Sequence, residues 1–110
     1  MGEKFSSPES QEVEVLRQKV IEGLRKKGID DPEVYSALNK WTQKREMFAE
    51  AVGTRAAQIL FELDRAALYH EGGYTEEALE VLYDARTIAE QEGEVVWLDE
   101  VERKIREIEN

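Results

Sequence analysis

Residues 31–73 read DPEVYSALNKWTQKREMFAEAVGTRAAQILFELDRAALYHEGG, and the organisation of the whole chain turns on them. Asp31-Pro32-Glu33 is a helix start. It supplies a side-chain acceptor, then a proline whose missing N–H is not needed in the first turn, then an acid at the positive helix end. The next strong stop is Gly72-Gly73. Between them Tyr35, Leu38, Thr42, Arg45, Ala49, Val52, Ala56, Ile59, Leu63 and Ala66 keep one register of threes and fours. Val34, Trp41 and Phe48 recur every seven residues on a second stripe. Gly53 lies on the polar side of this register, and a glycine there costs about 1 kcal/mol relative to alanine, which packing can offset. No proline follows it. The pattern predicts one long second helix from Asp31 to about Glu71, with a break near Gly53 as the alternative. Forty residues at 1.5 Å each would span about 60 Å, against about 30 Å for a compact domain of this size.

The flanking segments carry the same punctuation. Ser7 as a cap, Pro8 at the first helical position and Glu9 in the first turn open a helix over about residues 8–27. Val13, Leu16, Val20 and Leu24 form its apolar stripe, and Lys26, Lys27 and Gly28 close it. Beyond the glycine pair, Thr75-Glu76-Glu77 reads as a cap with two first-turn acids, opening a third helix that ends at Gly93. Its small residues Ala78, Ala85 and Ala89 allow a close helix approach. A short last helix carries Leu98, Val101, Ile105 and Ile108 on one side. No segment alternates with the period of two that a strand requires. The fold expected is therefore all-α. It is a four-helix antiparallel bundle, with residues 1–7 as a disordered N-terminus and residues 8–110 as a single helical domain.

Ala66, Tyr69, Gly73, Ala78, Leu82 and Ala85 fall at the relative spacings of a helix–turn–helix repeat. Residues 59–92 thereby resemble one tetratricopeptide (TPR) unit, a 34-residue hairpin with a small residue and a tyrosine on its first helix, a turn glycine and alanines on its second. Glu62 and Arg65 stand where that unit carries large apolar residues. The resemblance implies a helical scaffold that presents a groove to a peptide or protein.

Composition narrows the functions. The 110 residues are 41% hydrophobic and 36% charged, which suits one small folded domain and neither a disordered tail nor a membrane span. The net charge of −10 is uneven: residues 1–55 carry ten charges of each sign, residues 56–110 carry 5 basic against 15 acidic. An acidic half repels nucleic-acid phosphates and anionic lipid, so no nucleic acid and no membrane is expected among the partners. The absence of cysteine leaves no disulfide or thiolate chemistry and favours a cytoplasmic location. Met1-Gly2 with Ser6 fits a loose myristoylation pattern, read as an ordinary start, and no apolar secretory segment is present.

Chemistry finds little support. His70 is the lone imidazole, which rules out His-Glu-x-x-His and paired Glu-x-x-His metal sites and leaves a helix-end surface role. The serines have no His–Asp arrangement, and Gly72-Gly73 lacks the Gly-Lys-Ser/Thr of a phosphate loop. Only Asp64 and Glu62 are acids close to an apolar stripe. Arg25-Lys26-Lys27 and Lys40, Lys44 and Arg45, with Tyr35 and Trp41 among them, have two readings: an RNA or DNA contact, disfavoured by the repulsive overall field, and solvated faces with intrachain ion pairs. No catalytic residue, metal or cofactor is expected. The predicted function is a non-catalytic protein–protein interaction or scaffold module, with Tyr35, Trp41, Phe48, Tyr69 and Trp97 as partner-facing candidates and core filling as the alternative for each. A homodimer is expected too, because a 40-residue helix would leave one apolar flank bare along its length. The competing functions are a small acidic regulator of a basic partner, antitoxin-like or a nucleic-acid mimic, and, less favoured, a small helical enzyme.

Overall fold

A computed structural model describes residues 8–110, with side chains from residue 11 onward. The expected Ser7 cap and the 1–7 segment lie outside the described residues. The described residues form helices only: α1 (Pro8–Lys26), α2 (Pro32–Val52), α3 (Arg55–Glu71), α4 (Thr75–Glu92) and α5 (Val95–Glu109). The all-α expectation holds. The long second helix does not form; the alternative, a break near Gly53, does, and the described residues hold one helix more than the four expected.

The break at residues 53–54 has a specific cause. Gly53 adopts a left-handed φ of 76°, and its N–H donates to the Ala49 carbonyl, closing α2. Alanine in that region would be strained by roughly 1–2 kcal/mol. Thr54 then turns extended, and its hydroxyl accepts from the Ala57 N–H at 3.1 Å, so α3 starts with a cap of its own. A helix stop beside a helix start overrides the continuous register on either side. The molecule consequently measures 38 × 37 × 22 Å rather than 60 Å in length.

The other ends show which local signals count. Asp31 caps α2 as expected, accepting from Glu33 and Val34 N–H at 3.0 and 3.2 Å. Thr75 does not cap α4: it is already helical, the capping position belongs to Tyr74, and no side chain caps that end. The Tyr74 hydroxyl instead accepts from the Ile29 N–H at 2.8 Å, tying the α3–α4 turn to the α1–α2 turn.

Each helix packs on its neighbour in sequence, and α3 also touches α1 and α5. The layers are thus an α1–α2 hairpin, an α3–α4 hairpin stacked on it, and α5 closing the far side. The core divides accordingly. One cluster holds Val20, Ile21, Leu24, Val34, Leu38, Trp41 and Leu68, and the other joins Ile59 and Ala66 to Ala78, Leu82, Ala85, Val101 and Ile105. Helix α3 feeds both, and Tyr69 packs against both. Close approach is paid for with small residues: Ala66, Ala78, Ala85 and Ala89 are all buried between α3, α4 and α5. At Gly72 a Cβ would stand 2.6 Å from Leu24 Cδ1, so α1 passes over the end of α3 where no side chain fits.

Candidate functional site

The five candidate aromatics are dispersed over three helices. Tyr35 is 57% exposed on α2. Trp41 is fully buried, 6.4 Å from the Phe61 ring, and a partner cannot reach it without unfolding the α1–α2 layer. The core-filling alternative therefore describes Trp41. Phe48 is half-buried near the end of α2. Tyr69 is half-buried at the junction of the two core clusters, with the Arg65 guanidinium 5.9 Å from its ring centre. Trp97 packs its ring against the α3–α5 cluster and stays half-exposed. Val34, Leu38 and Trp41 are core, whereas Tyr35 and Val52 of the expected apolar flank stay exposed after α2 and α3 fold back on each other.

The chain's most organised polar feature joins α1, α2 and α3. Arg45 Nε donates to Asp64 Oδ2 at 2.8 Å, and Arg17 Nε stands 3.9 Å from Asp64 Oδ1. Arg17 also reaches Glu71 Oε2 at 2.7 Å, and Arg25 Nε donates to the Glu71 carbonyl at 2.6 Å. Arg17 is held protonated despite the opposing effect of its partial burial, because Glu71, Asp64 and Glu14 surround it. Asp64 was legible as an acid beside an apolar stripe. Its partners were not, because nothing in the linear order brings residue 17 to residue 64. Lys44 meets Glu12 at 2.7 Å, so Arg45 and Lys44 both serve intrachain pairs, the plainer of the two readings for that basic group. Lys40 makes no ion pair with a described residue.

Glu62 is the described carboxylate whose setting departs most from water. Burial pushes its carboxyl above the ordinary range, the Arg65 guanidinium at 3.2 Å pulls the other way, and the nearby Asp84 and Glu46 charges add to the rise. It lies on the wall of an open cleft of about 530 Å³ at the α2–α3 corner, with Phe61, Glu46, Glu50 and Arg55 around it. A raised acid in a cleft can hold a proton, but catalysis needs a second group aimed at the same point. Glu46 and Glu50 are exposed, and Arg55 is turned to Gln58 and Glu92. No general acid–base pair is assembled there.

His70 is exposed in the last turn of α3, the helix-end position expected of it. Among the described residues no three His, Cys, Asp or Glu side chains cluster as a metal site would require, and no helix is long and apolar enough to cross a membrane. In comparisons with known proteins the chain matches no family model, no curated protein and no solved structure.

Proposed function

We propose that this chain is a non-catalytic helical interaction module that binds a protein partner and self-associates in the cytoplasm, without nucleic acid, membrane or cofactor. One observation carries the reading. The core of the described residues is wholly apolar, with no buried polar or charged residue, yet Val15, Tyr35, Met47, Val52, Leu60, Val95 and Val96 remain exposed by 44% to 76%. Large side chains left outside a filled core are available for contact with another chain. The stacked hairpins fit a scaffold role, and residues 59–92 supply the TPR-like hairpin of that scaffold: α3 and α4 cross the stretch, with the turn at Gly72–Tyr74. Tyr35 is the strongest of the five partner candidates. A photo-crosslinking residue at Tyr35 should yield discrete protein adducts in cells, whereas the same residue at exposed Gln91 should not. Equal, diffuse labelling at both positions would sink the proposal.

A second reading, a small acidic regulator of a basic partner, draws on Glu76, Glu80 and Asp84. They recur every four residues on α4, and none makes an ion pair with a described residue. It predicts a complex with a cationic protein that dissociates as salt screens the charges.

A further inference from the structure

The face of the α1–α2 hairpin turned away from α3 carries a groove along its length. Three adjoining depressions of about 290, 410 and 500 Å³ share Lys19, and neighbouring ones share Leu16, Ala37 or Lys40. The floor is apolar: Val34 is buried, and Leu16 and Ala37 are half-buried. Gly23 brings the two helices together, since a Cβ there would stand 2.8 Å from Val34 Cγ2. The rim carries Lys19, Lys26, Lys27 and Lys40 against Glu22, Glu33 and a Glu12 that is paired with Lys44. Lys19 and Lys40 are exposed and make no ion pair with a described residue, while Lys26 and Lys27 hold only exposed pairs with Glu22 and Glu33. The groove runs beside α1 from Gln11 to Lys27, about 24 Å at 1.5 Å per residue.

The opposite end of the stack bears the complement. Helix α5 turns Val101 and Ile105 into the core and leaves Val95 and Val96 exposed by 67% and 76%. Asp99, Glu102 and Arg106 follow Val95 at spacings of four, three and four, on the same stripe, and none of the three makes an ion pair with a described residue. The 15 residues of α5 measure about 22 Å, close to the groove in length. Two acids outnumber the one arginine on this stripe, opposite in sign to the unpaired Lys19 and Lys40 of the groove, and helix and groove match in length.

We propose that the outer α1–α2 groove seats the α5 face of a second copy of this chain, so that self-association is head to tail. This rests on the interaction-module reading and specifies its self-association. Groove and helix lie on opposite sides of α3 and cannot meet within one molecule. The contact uses two different surfaces, so a pair retains one free groove on one copy and one free α5 on the other, to which further copies can add. Repulsion between copies of net charge −10 acts over a distance, but salt screens it beyond about 8 Å at physiological ionic strength, leaving the contact charges to set the register.

Sedimentation equilibrium of the whole chain and a charge-swap series test the proposal. The wild type should rise with concentration above its monomer mass of 12.7 kDa. Lys19→Glu with Lys40→Glu should weaken association by roughly tenfold or more, and so should Asp99→Lys with Glu102→Lys, each with unchanged helicity. Mixing the two double variants should restore association, because each then offers the other a groove and a helix of opposite sign. Association of the lysine variant at wild-type strength would overturn the groove assignment while leaving self-association elsewhere intact. Failure of the mixture to recover would overturn α5 as the occupant. A wild type that stays monomeric at high micromolar concentration would overturn both this proposal and the self-association part of the functional reading.

Discussion

At Gly72 the constraint is space rather than backbone angle. Its φ of −79° suits any residue, but an added Cβ would meet Leu24 Cβ at 2.9 Å as well as Cδ1 at 2.6 Å. A helix would have to move, since Leu24 Cβ cannot swing away. Gly72→Ala should therefore destabilise by about 1–3 kcal/mol, the usual cost of overpacking. Urea unfolding would read it, and an unchanged midpoint would mean that α1 does not pass over that turn. Glu62 makes a prediction of a different kind. Its carboxyl is raised by burial, so just above the ordinary glutamate range the folded chain holds a proton that the unfolded chain has released. That component of stability is present at low pH and lost as pH rises through the folded value. The stability of wild type relative to Glu62→Gln should increase as pH falls from neutral toward that range. A difference that stays flat with pH would place Glu62 in water.

Among the elements, the α3–α4 pair is where small residues matter most. Ala78 and Ala85 are fully buried, and Ala66 is 2% exposed. Ala85→Leu should overpack this seam and cost about 1–3 kcal/mol, seen as a lowered Tm. A Tm equal to wild type would remove the close α3–α4 approach. The seam was legible beforehand because alanines at 78, 85 and 89 keep helical spacing and have few other reasons to share a face. The start of α2 was legible too, since Asp31-Pro32 satisfies orphan N–H groups whatever surrounds it. The corner at Gly53 was harder to see. The apolar register runs through it unchanged, and the break is carried by two residues: a glycine that can turn left-handed and a threonine that can cap. Read as a lone mid-helix glycine, Gly53 looks affordable; read with Thr54, it ends one helix and starts another. Trp41 was ambiguous for a related reason. A seven-residue spacing marks a flank without saying whether the covering helix belongs to the same chain.

Over the whole molecule, the charge asymmetry of the sequence becomes a polarity of the stack, with lysines along the outer α1–α2 face and unpaired acids on α4 and α5. Fold class and core were readable because caps and periodicity are local. The pairing of Arg17 with Asp64 and the outer groove were not, because both depend on how two hairpins are stacked. The division of the core has its own consequence for how the protein breathes. The two apolar clusters communicate through α3, where Tyr69 touches both. Opening α4 and α5 away from α3 need not disturb Val20, Leu24, Leu38 or Trp41, so the native state has a route to a partly open form short of global unfolding. Amide hydrogen exchange should resolve two cooperative units, with α1 and α2 amides sharing one opening free energy and α4 and α5 amides another. One common value for every protected amide would show instead that Tyr69 and Leu68 lock the halves into a single unit. If two units are found, the α5 helix belongs to a half that can detach, and its exchange rate becomes a direct gauge of how tightly the closing layer is held.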